Sequence, residues 1–330
     1  MIISAYKELV SKINEIKDLY SSYLSDKMLK SKVESKWKAY TPNHRIARLI
    51  AVDGGELVKD IRLSSFYLVD AEAVKTQGKT TIVLEGKSNF GILMSKKGKE
   101  LDKKIASLIM QLLELKLAYK YGNDADYILL DGSLTKKIGS EEFKDKDPTL
   151  DEIEVEDKIY SLDKCREEED LIRCLIAENH VILTKLIEKY SDKLLFISKA
   201  SRSRELFNEK ISDMALLDLF IAEPGYSEII TKEIDRTNLL SQMASEKLGG
   251  KKYNSVYVKL SSDGKVLKID MFTKDIERVI DALATVSIKG YPYPLLKAHI
   301  DARISSKDRE RIMHLLNMKK TIEWWPNQLS

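Results

Sequence analysis

Two cysteines, Cys165 and Cys174, are all that the 330-residue chain contains. They lie nine positions apart on a segment of helical periodicity, with no CxxC or CxxH spacing, so neither a disulfide framework nor a zinc site is indicated and two plain thiols are expected. Glutamine is confined to Gln77, Gln111, Gln242 and Gln328 while lysine and glutamate abound, a bias reported for hyperthermophile proteins. Nowhere does an apolar run approach the roughly 18 residues of a membrane span. The opening stretch, "MIISAYKELVSKINEIKDLY", mixes charged and apolar residues too evenly for a signal peptide. A cytoplasmic protein with no membrane partner is therefore expected. No internal repeat or linker-like stretch divides the chain, and 43% hydrophobic residues are enough for a sizeable core, so one domain over residues 1–330 is expected. The net charge of +3 conceals dense charge of both signs. It neither demands nor excludes a nucleic-acid partner, and any phosphate-binding surface must be local.

What is present is periodicity. Ile2, Ile3, Tyr6, Leu9, Val10, Ile13, Ile16, Leu19, Tyr20, Tyr23 and Leu24 recur at helical spacing, which predicts one long amphipathic helix over 2–25. A strand at Arg48–Val52 is expected next, then two β-rich runs, "ELVKDIRLSSFYLVDAEAV" and "KTTIVLEGK", forming an antiparallel meander. "GKELDKKIASLIMQLLELKLAYKYG" reads as a helix stopped by Gly122 and leading into an apolar strand at Tyr127–Leu130. Residues 139–158 are acidic and turn-rich, an exposed connection before a helix over Asp163–Tyr190. Further on, the pattern predicts a strand in "KLLFISKAS", a helix capped by Ser212, a hairpin turning at Asp263-Gly264 and a helix from Asp275 to about Val286. A proline-bounded helix carrying His299 follows, with a last helix opened by the capping pattern at Ser305–Asp308.

Two Asp-Gly pairs punctuate this scheme. "RLIAVDGGEL" (48–57) and "DYILLDGSL" (126–134) each run apolar residues into an aspartate followed by glycine. Asp-Gly is ordinary turn chemistry, yet two strands that present a carboxylate in the same way suggest a shared site. "AVKTQGKT" (73–80) has the spacing of a phosphate-binding loop. It is followed by β-branched residues where a real one opens a helix, so it reads as a hairpin turn.

A meander, a helix and a fourth strand, with aspartates on the first and fourth strands, is the pattern of an α/β ribonuclease H-like mixed sheet with flanking helices. In that fold the first and fourth strands are neighbours, so Asp53 and Asp131 would face one another. Two such carboxylates repel unless cations join them, as in two-metal phosphoryl transfer.

The chain also resembles the NurA nucleases. "IAVDGG", "ILLDGSL", "ISKAS" and "YPYPLLKAH" occur here in that family's order, from about residue 45 to residue 305. The resemblance implies a ribonuclease H-like core over 45–305 with insertions, an added N-terminal helix (1–30), and a C-terminal helix and tail (306–330). It also implies a manganese-dependent DNA nuclease, with magnesium as the alternative ion, that cleaves single-stranded DNA internally and degrades DNA ends 5′ to 3′ in double-strand break resection. The partners it implies are a second copy of the chain and the hexameric translocase HerA. Carried over residue by residue, the metal-binding aspartates fall on Asp53 and Asp131, the helix glutamate on Glu114 in "LLELK", the late histidine on His299, and a lysine after a strand on Lys199. By helical angle Glu114 sits at the margin of the apolar face, readable equally as a boundary surface residue.

Local charge adds Ser201, Arg202 and Arg204 to Lys199 as a candidate contact to a DNA phosphate. Asp270 is read as an exposed strand-end aspartate, with a ligand role the alternative. His44, His180 and His314 read as structural. Two other functions would use the same residues: hydrolysis of RNA or RNA–DNA hybrids, and a non-catalytic DNA-binding subunit whose carboxylates only close turns. The apolar stripe of residues 2–25 and the pair Trp324-Trp325 in the tail are expected to carry subunit or translocase contacts.

Overall fold

A computed structural model describes residues 3–61, 64–93, 99–165 and 168–315. The strands of the main sheet are β1 (Trp37–Ala39), β2 (Arg48–Ile61), β3 (Ser64–Gln77), β4 (Thr80–Leu93), β5 (Tyr127–Asp131), β6 (Leu194–Ser198), β7 (Gly225–Ser227), β8 (Ile230–Glu233), β9 (Lys252–Lys259) and β10 (Leu267–Met271), and a separate short pair joins Ser287–Ile288 to Tyr291–Pro292. Among the described residues these ten form one mixed sheet in the order β1-β7-β9-β10-β6-β5-β2-β3-β4, with β8 also paired to β9. The central trio β6-β5-β2 is parallel and the pairs around it are antiparallel.

Parallel strands are covered on both faces and so read as continuous apolar runs. Successive side chains alternate between faces. Ile50, Val52, Ile128, Leu130, Leu194 and Phe196 point to one face, under the paired helices α3 (Lys99–Tyr121) and α6 (Glu168–Tyr190). Leu49, Ala51, Leu129, Leu195 and Ile197 point to the other, where Ile276, Val279, Ile280 and Leu283 of α9 (Ile276–Thr285) close the core.

Shorter helices complete the chain: α4 (Leu134–Ile138), α5 (Tyr160–Lys164), α7 (Asp213–Phe220), α8 (Gln242–Leu248), α10 (Tyr293–Ala302) and α11 (Ser306–Leu315). The N-terminal addition is two helices, α1 (Ile3–Ser25) and α2 (Lys27–Ser35), broken where the Asp26 carboxylate accepts from the Met28 and Leu29 amides to cap the second. The stripe of α1 remains open, with Ile3, Tyr6, Leu9 and Val10 exposed. At the other end, Ser305 and Asp308 form the expected reciprocal cap of α11. The tail with Trp324 and Trp325 lies outside the described residues. Among the described residues no helix is long and apolar enough to cross a membrane.

The order of three long strands, a helix and a fourth strand is as read from the sequence, and Gly78, at φ +59°, turns the β3–β4 hairpin in the segment that mimics a phosphate loop. Two readings are corrected. Asp53-Gly54 is no turn: β2 runs on to Ile61, paired with β3 throughout. The cysteines are not free thiols. The corner between α5 and α6 brings Cys165 and Cys174 to a Cα separation of 6.6 Å, and they form a disulfide.

Candidate active site

The register Val52↔Leu130 between β2 and β5 makes Asp53 and Asp131 neighbours on parallel strands. Both continue the row of Leu49, Ala51 and Leu129, so both project on the α9 side of the sheet. Asp53 is buried, 4% exposed, and Asp131 half-buried. The Asp53 Oδ1 accepts from the Gly54 amide at 2.9 Å, and its Oδ2 lies 2.8 Å from Nδ1 of His299. Burial pushes the Asp53 carboxyl above its ordinary range and the Asp131 charge pushes further, while the Gly54 amide, His299 and Lys199 oppose. Asp131 Oδ1 is 3.4 Å from Nζ of Lys199 and accepts from the Tyr291 hydroxyl at 3.4 Å. The Lys199 ammonium stands 4.9 Å from the centre of the Tyr291 ring. Burial raises the Tyr291 phenol strongly, and the charges of Asp131 and Asp53 add to it.

The glycines after Asp53 serve close approach. A Cβ on Gly54 would lie 2.6 Å from Met110 Cγ and 2.9 Å from Glu114 Oε1, both on α3. A Cβ on Gly55 would lie 2.0 Å from the carbonyl oxygen of Ala302, at the end of α10. Successive glycines thus admit α3 from one face and α10 from the other. The first brings Glu114 up to the strand, and the second lets α10 carry His299 over Asp53.

Glu114 is 2% exposed, so it is no boundary surface residue. Its Oε2 bonds Nζ of the buried Lys137 on α4. Burial pushes its carboxyl up to about 7; Lys137 opposes, and the charges of Asp53 and Asp131 add to the rise.

The structure therefore gathers Asp53, Asp131, His299, Lys199 and, across Gly54, Glu114. It does not bring in Arg202 and Arg204, which are exposed on the loop after β6, and the Ser201 hydroxyl accepts from the Ser203 amide. Asp270 is not exposed at a strand end. It is completely buried, accepting from the Leu134 amide at 3.0 Å and the Ser255 hydroxyl at 2.7 Å, and so anchors the start of α4 behind Asp131. Tyr291 and Lys137 escaped the sequence reading. Tyr291 opens the quoted segment "YPYPLLKAH", whereas nothing local marks Lys137 among so many lysines.

Two carboxylates are oxygen donors of the kind that suit manganese or magnesium, and the imidazole nitrogen beside them favours the transition metal of the two. Burial first and the Asp131 charge second raise the Asp53 carboxyl, and a cation held between the two carboxylates would favour the ionised form of both. Among the described residues no three His, Cys, Asp or Glu side chains close into a ligand cage; His299 faces Asp53 and Lys199 faces Asp131.

Fold and site together define an α/β protein with an acidic centre on two adjacent parallel strands of a large mixed sheet. A family model described as the NurA domain matches residues 47–304. Over 334 residues the chain is 45% identical to the DNA double-strand break repair nuclease NurA of Sulfurisphaera tokodaii, covering 100% of both chains. It superimposes on the crystal structure of the NurA nuclease from Sulfolobus solfataricus with a TM-score of 0.82 and 34% identity, over 99% of this chain and 100% of that one. A NurA crystal structure bound to dAMP and manganese shares the fold, with a TM-score of 0.63 and 18% identity, over 94% of this chain and 97% of that one. The chain belongs to the NurA family.

Proposed function

We propose that this chain is a divalent-metal-dependent DNA nuclease of double-strand break repair, with Asp53, Asp131 and His299 as metal ligands and Glu114 as a further catalytic group. The observation that carries this reading is the pairing of Asp53 and Asp131 on one face, with the His299 imidazole 2.8 Å from the first. Its standing among proteins named repair nucleases supports DNA as substrate. The manganese in a structure of the same fold supports the choice of ion.

Asp53, Asp131 and His299 would hold the cation, which would supply activation of water and charge to offset that of the phosphate oxygens. The chain's own groups do the rest. Nδ1 of His299 is turned to Asp53, which leaves Nε2 to meet a ligand or pass a proton. Lys199 and Tyr291 hold Asp131 in place, and the Lys199 ammonium, with donors to spare, would also meet a scissile phosphate. Ser201 and Arg202, on the loop beyond, would meet the strand further along.

We further read residues 1–330 as one domain with a ribonuclease H-like centre, a reading supported by β2-β3-β4, then α3, then β5 parallel to β2. Cleavage of single strands, 5′ to 3′ resection, a cytoplasmic location, a homodimer and docking on HerA belong to the same proposal. The open stripe of α1 supports an interface there.

The test is cleavage by the purified chain of matched DNA and RNA strands, with manganese, with magnesium and with chelator. Metal-dependent cleavage of DNA is expected. Cutting of RNA alone would make it a ribonuclease, and no cleavage under any condition would make it a binding subunit. Light scattering of the full chain and of a variant lacking residues 1–25, with a translocase pull-down, tests assembly; a monomer and an unaffected pull-down would remove α1 from the interfaces.

A further inference from the structure

α3 carries two buried ion pairs, and they differ in kind. Lys116 pairs with Glu178 at 2.9 Å, and the Glu178 carboxylate is saturated by the Tyr160 amide, the Ser161 amide and the Ser161 hydroxyl. Such a carboxylate has no oxygen left to offer. Glu114, on the same helix, has one bonded partner among the described residues, the ammonium of Lys137 on its Oε2. Its Oε1 instead lies against the strand, 2.9 Å from where a Gly54 Cβ would be.

Lys137 is itself held firmly. α4 directly follows Asp131, and its first turn is fixed by the Ser133 hydroxyl, which accepts from the Lys136 amide, and by buried Asp270, which accepts from the Leu134 amide. From α3, the Gln111 side-chain amide donates to the Lys137 carbonyl at 2.7 Å. A buried lysine is costly to keep unless its partner and its own placement are both well defined. Here one short segment links Asp131 at its start to Glu114 at its end.

We propose that Lys137 is a positioning residue for the nuclease reaction: it binds Oε2 of Glu114 and so directs Oε1 across Gly54 toward the centre formed by Asp53 and Asp131. Lys137 acts through Glu114 and needs no contact with DNA. The inference rests on the reading of Glu114 as part of that centre, and the experiment separates the two.

The experiment compares the full chain with K137M, E114Q and the E114Q/K137M double variant. It measures kcat and KM for DNA cleavage, manganese affinity by calorimetry, and melting temperature. Loss of such a supporting partner typically lowers metal affinity or activity about 10–100-fold. K137M is expected to lower kcat by that order with KM for DNA unchanged. The double variant should be no slower than E114Q alone. Should K137M not fold, K137Q, whose shorter neutral side chain takes the ammonium away from Oε2, is scored in the same way. Unchanged kcat and manganese affinity in K137M beside an impaired E114Q would overturn the role of Lys137 alone, as would losses that multiply in the double variant. Full activity in E114Q would overturn the reading of Glu114 and this inference with it.

Discussion

Asp53 and His299 stand 246 positions apart in the chain, and their Oδ2 and Nδ1 atoms are 2.8 Å apart in the fold. The contact joins a central strand to a helix near the end of the described chain. It exists because β2 carries no side chain at Gly55, where the end of α10 rests.

Replacing either carboxylate tests the site directly. Asp53→Asn and Asp131→Asn should each nearly abolish cleavage, since an uncharged amide holds a cation poorly, while the fold persists. At neutral pH the first variant should melt no lower than the parent. A carboxyl raised in the native state loses stability relative to the unfolded chain as pH rises above its ordinary value of 3.8, and the amide removes that cost. Near-normal turnover of either variant with manganese supplied would refute the site.

Gly55→Ala places a methyl group 2.0 Å from the Ala302 carbonyl oxygen. Backbone lies on both sides of this contact, so α10 must move, at a cost of roughly 1–3 kcal/mol. His299 moves with it, and a displacement of about 1 Å can lower a rate by about 10²-fold. A fall in kcat larger than the fall in stability explains is expected from kinetics and melting of the same variant. Parental kcat would mean that the position of α10 does not matter to the reaction.

Lys199→Ala removes the ammonium beside Asp131. If it contacts phosphate, DNA affinity should fall and the logarithmic salt dependence of binding should lose about one unit at most. An unaltered slope in a salt titration of binding would restrict Lys199 to its contact with Asp131.

His180 sets a pH response unrelated to catalysis. It is fully enclosed, with Nε2 at 2.8 Å from the Ile138 carbonyl and Nδ1 accepting from the Leu240 amide at 2.9 Å. Burial lowers its pKa from 6.5 to about 4. The native state therefore binds the proton less readily than the unfolded chain, and the contribution is present above pH 6.5 and lost as pH falls toward 4. At about 1.4 kcal/mol per unit this amounts to roughly 3 kcal/mol. Denaturant unfolding between pH 7 and pH 4 should show that loss, flattened in His180→Gln; an equal slope in both proteins would refute it.

The Cys165–Cys174 bond closes a short loop at the α5–α6 corner. Loop-closure entropy for that length gives about 2–3 kcal/mol. Reductant, or Cys174→Ser, should lower the melting temperature without changing kcat below the transition. Identical melting with and without reductant would show that the bond contributes nothing.

What the sequence determined by itself was local. The apolar spacing of α3 and α9, the turn at Gly78, the caps at Ser212 and Ser305, and the aspartate on each of two strands follow from short-range periodicity and capping chemistry. With the order of the elements, these placed Asp53 and Asp131 on two strands expected to be neighbours, and β2 and β5 are adjacent. The same local signals misled at Gly54 and Gly55, because a glycine needed for close approach is indistinguishable along the chain from one needed for a turn. Only the tertiary structure decided that Glu114 is buried against Lys137, that Asp270 anchors α4, that Tyr291 meets Asp131, and that two cysteines nine apart are bonded. Each of these depends on how helices cross the sheet and where the strands fall in register, and such long-range packing leaves no periodic trace in the segments that take part in it.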